Sequence, residues 1–409
     1  MKPVARHRTA LVPVIAVLLA LLGACTHSKA AEPAASASSE APTSAAPTPT
    51  PSQVPFNLTT SLADGAQVPV DHRFMAVAAG GTVTSVSLTS TDPHPEKQTV
   101  PGQLSPDQTT WTAASLLEPG VSYTAVVQAA PTAGAPVTQT VRFSTTPLSK
   151  KQQVFVYNII GAGQTVGVAM PVVVSFDTPV ADKASFQRAM HVTSTPAQNG
   201  TWSWLSDTEA HWRPEVYWQP GTQVSVNIDV NGVSAGNGYY GQESKQATFT
   251  VGRAAQISVD LAAHTATQLV NGQPTRVIPV TGGKSGFETR SGTKVIMERL
   301  DSVDMNAATT GIGQGSSEFY DLKGVKYAMR VTQSGEFFHA APWSSGSHGK
   351  RNVSHGCVGM STTNADWLMA NTLVGDPVVY TGSSRALEKG NGWTDWNISY
   401  EEFRQGSAL

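Results

Sequence analysis

Apolar residues recur at every second position along much of this chain, the period of a half-buried strand rather than of a helix. Tyr123 to Val127, Val224 to Val230 and Ile257 to Leu261 alternate in this way. Turn residues punctuate the runs, and Pro119-Gly120 and Pro220-Gly221 supply tight-turn geometry. Two stretches repeat one order of features. The first, about 56–147, holds Leu88-Thr89-Ser90-Thr91, Trp111, Pro119-Gly120, the run Tyr123 to Val127 and then Phe143. The second, about 148–252, holds Val192-Thr193-Ser194-Thr195, Trp212, Pro220-Gly221, the run Val224 to Val230 and then Phe249. The Trp-to-Pro spacing is the same in both. Short strands separated by turn signals predict two immunoglobulin-like β-sandwiches. Neither stretch gathers His, Cys or paired carboxylates, so both read as spacers or docking modules.

The third region, about 253–381, is β-rich with one clear helix. Asn271-Gly272, between Thr267-Gln268-Leu269-Val270 and the run Thr275 to Val280, is a hairpin signal, with room for a loop longer than two residues. Gln333-Ser334-Gly335 joins a second hairpin, from Tyr327–Thr332 to Glu336–Ala340. Ser361 can cap a helix from Thr362 to about Thr372, with Ala365, Leu368 and Met369 on one face. Asp376-Pro377 then leads into the strand Val378-Val379-Tyr380. The last stretch, 382–409, carries Trp393, Trp396, Tyr400 and Phe403 and is expected to pack back on the third region as a short C-terminal subdomain.

The N-terminus changes the setting. Lys2, Arg6 and Arg8 precede an apolar run from Leu11 to Leu22, which is too short to span a bilayer and reads as a secretory signal. Leu22-Gly23-Ala24-Cys25 resembles a bacterial lipobox, which implies a signal over 1–24 and lipidation of Cys25. The alternative is an ordinary signal cut near Ala30 or Ala31. Residues 25–55, rich in Ala, Ser, Thr and Pro, lack apolar periodicity and read as a disordered tether. The resulting expectation is a protein of the cell envelope, held by lipid at the outer face of the plasma membrane. Net charge is −2, with no basic run, which argues against nucleic-acid binding.

Only two cysteines occur, Cys25 and Cys357. With Cys25 lipidated, Cys357 has no intrachain partner, and an unpaired exported thiol is a candidate reactive group. Residues 336–361 read EFFHAAPWSSGSHGKRNVSHGCVGMS and place His339, His348 and His355 before Cys357. A histidine can take the proton of a thiol or pair with its thiolate. Gly356 and Gly359 let backbone N–H groups approach a substrate carbonyl. Three readings stay open on spacing alone: nucleophilic catalysis, a zinc site, or an inert buried thiol in a histidine-bearing loop. Spacing also does not choose among the histidines as base.

The run Ser354-His355-Gly356-Cys357 with His339 upstream resembles the signature of the L,D-transpeptidases, whose catalytic unit is the YkuD domain. The resemblance extends to Phe338-His339-Ala340-Ala341-Pro342-Trp343, Asn364-Ala365-Asp366-Trp367 and Asp395-Trp396-Asn397-Ile398. The layout is similar to the mycobacterial and actinobacterial branch. It implies a mainly β chain: two immunoglobulin-like sandwiches, a YkuD domain over 253–381 with one main helix, and the C-terminal subdomain.

The resemblance implies an enzyme that joins two meso-diaminopimelate residues of peptidoglycan stem peptides. A tetrapeptide donor loses D-alanine and forms a thioester, and an acceptor amine resolves it. Carried over, Cys357 is the nucleophile, His339 the base, and His355 a residue that holds one of them. Backbone N–H groups of Gly356 and Cys357 would form the oxyanion hole. Tyr320, Met297, Trp343, Ala340, Ser354 and Gly359 would line the substrate site. No cofactor and no metal are implied, and carbapenems are expected to acylate the same thiol. The chain departs from the family at Gly359, where asparagine or arginine is common, and at Ala340, where serine is common. These departures keep two rival readings in view, a hydrolytic L,D-carboxypeptidase and a low-activity wall-binding scaffold.

Overall fold

The computed structural model describes residues 54–409, so the expected signal sequence, Cys25 and nearly all of the expected tether lie outside the described residues. The described chain is mainly β and forms two sandwiches followed by a third domain. In the first sandwich, a four-stranded sheet carrying Met75–Ala79 and Thr110–Ala113 accompanies a five-stranded sheet carrying Gly81–Ser90, Ser122–Pro131 and Val137–Thr145. Phe74, Trp111, Tyr123 and Phe143 fill its core. The second pairs a six-stranded with a four-stranded sheet over Phe186, Trp202, Trp212, Trp218 and Phe249.

The repeat in the sequence has a packing basis. In each sandwich a glycine on the neighbouring strand lies under the tryptophan. A Cβ at Gly102 would lie 2.0 Å from the Trp111 ring, and one at Gly200 would lie 2.2 Å from the Trp212 ring. The indole occupies the space that a side chain would need.

The strands and helix of the third domain are numbered within it. β1 (Ala255–Asp260), β2 (Thr265–Val270), β3 (Gln273–Pro279), β4 (Gly292–Val295) and β9 (Pro377–Thr381) make one sheet, in the order β3-β2-β1-β9-β4. β5 (Glu298–Asn306), β6 (Asp321–Arg330), β7 (Phe337–Ala340) and β8 (Val358–Met360) make the other, in that order. Asn271 and Gly272 form a two-residue hairpin, with Val270 opposite Gln273 and both turn residues at positive φ (52° and 76°). That conformation is the one Asn-Gly favours. Ser361 Oγ accepts from Asn364 N–H at 3.2 Å and caps α1 (Thr362–Ala370). The helix buries Ala365, Leu368 and Met369 in a core shared by both sheets, with Phe338, Val358, Met360 and Val378.

The C-terminal segment corrects one expectation. It does not pack on the third domain alone but bridges to the second sandwich. Trp393 joins the sandwich core, and Trp396 Nε1 donates to Ala169 O at 2.7 Å. The Arg213 guanidinium sits 4.4 Å from the Trp396 ring and 4.9 Å from Phe403. The fully buried His211 meets Asp395 at 2.8 Å. Toward the third domain, Asn397 Oδ1 accepts from Thr293 N–H at 2.8 Å. Aromatic residues at this density need two surfaces to bury them, and the segment lies between two. Among the described residues no helix is long and apolar enough to cross a membrane.

Candidate active site

β7 and β8 run parallel, with Phe338 beside Val358, His339 beside Gly359 and Ala340 beside Met360. Alternation along a strand sends Phe338, Ala340, Val358 and Met360 into the core. His339 and Gly359 therefore face the other way, and Cys357, two residues before Gly359, shares their face. That face is the floor of a cleft of about 290 Å³ lined by His339, Cys357, Ser354, His355, Gly359, Tyr320 and Trp343, among others.

The turn leading to Cys357 is fixed by short polar contacts. Ser354 Oγ donates to Cys357 O at 2.6 Å and accepts from Gly356 N–H at 3.1 Å. Thr289 Oγ1 donates to Gly356 O at 2.7 Å. Gly356 adopts φ 126°, a conformation open to glycine and strained for other residues. The thiol of the half-buried Cys357 points to Gly335 O, 3.6 Å away.

His339 Nδ1 donates to Ala340 O at 2.9 Å, which leaves the Nε2 lone pair free to accept a proton. Trp343 lies over the ring, with centroids 5.8 Å apart and planes 22° apart. Burial holds the His339 imidazole below the usual histidine range, and the nearby His348 adds to this. Burial also pushes the Cys357 thiol up to about 11, and Glu336 opposes its ionisation further. Both shifts favour the neutral pair over a standing thiolate–imidazolium pair. Such a pair passes its proton only as the sulfur attacks.

His355 occupies a separate cluster on the rim. Its Nε2 lies 2.7 Å from Glu318 Oε2, and its ring packs edge-on to Phe287 at 4.6 Å and near Tyr320 at 5.0 Å. Lys284 Nζ donates to the same Glu318 oxygen at 2.5 Å. Hydrogen bonds from Lys284 and His355 hold the Glu318 carboxyl below its ordinary value. Burial raises the Tyr320 phenol, and so does its proximity to Cys357.

Three sequence-based assignments need correction. Met297 does not line the cleft: its N–H donates to Arg330 O at 2.8 Å, and its side chain packs against the second sandwich under Gly392. Met305, within β5, reaches the cleft instead. Ala340 turns its methyl into the core, and only its carbonyl touches the site, through His339. Gly356 N–H is already bonded to Ser354 Oγ, which leaves the Cys357 N–H as the donor of the two that is open to a substrate. Ser354 lines the cleft, but its hydroxyl is committed to the turn.

Sequence reasoning missed Glu318, Thr281 and Met305. No spacing rule links Glu318 to His355, because the loop between β5 and β6 joins them only in three dimensions. Among the described residues no group of three or more His, Cys, Asp or Glu side chains converges as metal ligands would. His348, a candidate ligand by spacing, instead contacts Ser344 Oγ at 3.3 Å.

Residues 254–379 match the YkuD family, described as the L,D-transpeptidase catalytic domain. Residues 65–234, parts of both sandwiches, match a bacterial Ig domain. L,D-transpeptidase 2 of Mycobacterium tuberculosis is 33% identical over 353 residues, covering 86% of this chain and 85% of that protein. The chain belongs to the L,D-transpeptidase family. L,D-transpeptidase 1 of the same species is 36% identical over 222 residues, 54% of this transpeptidase and 82% of the relative. A solved LD transpeptidase in complex with imipenem is 37% identical, covers 55% of this chain and 98% of its own, and gives a TM-score of 0.49. L,D-transpeptidase 3 of M. tuberculosis, solved with a faropenem-derived adduct, is 30% identical, with coverages of 55% and 97% and a TM-score of 0.46.

Proposed function

We propose that this transpeptidase forms meso-diaminopimelate to meso-diaminopimelate cross-links in peptidoglycan through a thioester on Cys357. The observation that carries the reading is the placement of His339 and Cys357 on one face of the β7–β8 pair, with the His339 Nε2 lone pair free. The Cys357 sulfur attacks the carbonyl that precedes the terminal D-alanine of a tetrapeptide stem, while its proton passes to His339 Nε2. Cys357 N–H stabilises the oxyanion. Collapse breaks the peptide bond, and the leaving D-alanine amine takes the proton from His339. The side-chain amine of an acceptor diaminopimelate then attacks the thioester, His339 takes its proton, and the thiol is regenerated.

The same chemistry extends to carbapenems, whose strained carbonyl is open to the same sulfur. Lipidation at Cys25 would hold the enzyme at the outer face of the membrane, with residues 25–55 as its tether. His355 is assigned to shaping the rim rather than to proton transfer, because its Nε2 is engaged by Glu318.

Incubation with a disaccharide-tetrapeptide tests the reading. Cross-linked dimer with release of D-alanine is expected. Disaccharide-tripeptide alone would assign the enzyme to hydrolysis.

A further inference from the structure

Beneath the Cys357 turn lies a charged cluster that the acyl-transfer steps above do not use. The Lys294 ammonium, fully buried, donates to Glu336 Oε2 at 2.5 Å. Arg290 donates twice to Glu336 Oε1, from its backbone N–H and from Nη1, each at 3.0 Å. Arg290 Nε also reaches Glu388 in the C-terminal segment. Lys294 lies 3.8 Å from the centroid of the Tyr380 ring, so its other face is covered by an aromatic surface.

This cluster touches the thiol's own supports. A Cβ on Gly356 would lie 3.6 Å from Glu336 Oε1. The residue before Glu336 holds the sulfur: Gly335 O accepts the thiol hydrogen at 3.6 Å. The other charged or titratable groups near the sulfur are Arg330, Tyr320 and Tyr380, with His339 and His355 lining the same cleft.

Buried ion pairs are seldom kept for stability, since apolar replacements of similar volume often serve as well or better. A carboxylate this close to a nucleophilic sulfur carries a chemical cost as well, because it repels the thiolate. Two cations on that one carboxylate cancel the repulsion. We propose that Lys294 and Arg290 are positioning residues for Cys357 that act by neutralising Glu336, so that the sulfur can carry negative charge as it attacks. The proposal rests on the reading of Cys357 as the nucleophile.

Alkylation of the thiol tests it without substrate. The full chain is treated with iodoacetamide over about pH 6 to 11, and the peptide carrying Cys357 is followed by mass spectrometry. Lys294→Met should shift the rising limb of the rate profile to higher pH and slow alkylation near pH 7 by roughly tenfold, the effect of one unbalanced charge nearby. Lys294→Met/Glu336→Gln should return the rate to within about threefold of wild type, because the repelling charge is gone as well.

Arg290→Gln and Arg290→Gln/Glu336→Gln repeat the comparison at a less buried position, should Lys294→Met fail to fold. A double variant as slow as its single variant, or a single variant with the wild-type rate profile, would overturn the proposal. The nucleophile reading fails by a different result, a β-lactam adduct that survives Cys357→Ala.

Discussion

Gly359 lies directly beside His339 across the parallel β7–β8 pair, and its backbone is bridged on the other side to Thr281. Gly359 N–H donates to Thr281 O and Thr281 N–H to Gly359 O, each at 2.9 Å. A Cβ here would lie 2.8 Å from the Ala341 Cβ and 3.2 Å from Thr281 Cγ2. The departure from the family residue is therefore tied to close packing around this bridge. Gly359→Asn should destabilise the protein by about 1–3 kcal/mol, as overpacking does, and should slow β-lactam acylation. Thermal unfolding and acylation kinetics on the same preparation check both. An unchanged melting temperature with a faster rate would mean that the cleft readily accepts the larger residue.

His339→Ala should lower the acylation rate by roughly 10²–10⁴-fold, the usual worth of a positioned base. Burial holds the imidazole below the ordinary histidine range. The acid limb of the wild-type rate profile should accordingly fall below the pH at which a free histidine titrates. A near-normal rate in His339→Ala would move the base role to another group.

The Glu318–His355–Lys284 contacts tie the loop between β5 and β6 to the rim of the cleft. Glu318→Gln removes the charge while keeping the shape. KM for a tetrapeptide donor should rise more than kcat falls, and wild-type KM should rise with salt as exposed pairs are screened. A fall in kcat at constant KM would instead place Glu318 in the chemical step.

His211 sets the pH response of the junction. Burial alone would lower its pKa, but Asp395 and Glu209 outweigh burial and push it up from 6.5 to about 9. A folded pKa above the unfolded one gives stability that is fully present below about pH 6.5 and is lost as pH rises through about 9. The melting temperature should fall across that window, and Asp395→Asn should flatten the fall. Equal slopes in the two proteins would contradict this assignment.

Much of this architecture was legible because it follows from local periodicity and turn chemistry. Asn271-Gly272, the Ser361 cap and the twin tryptophan repeats are each set by residues close in sequence. Cys357 stood out as one of only two cysteines, and its surroundings by resemblance. What could not be read depends on which way a strand faces and what meets it in space. Ala340 and Met297 were placed by alignment, yet alternation turns the first into the core and packing carries the second to the domain junction. Glu318 and Lys294 meet their partners 37 and 42 residues away, beyond any short-range rule.

The most direct test of the account is intact-protein mass spectrometry after incubation with a carbapenem, on wild type and on Cys357→Ala. The account predicts one covalent adduct on wild type, mapped to Cys357, and none on the variant. An unmodified wild type, or an adduct that persists in Cys357→Ala, would contradict it.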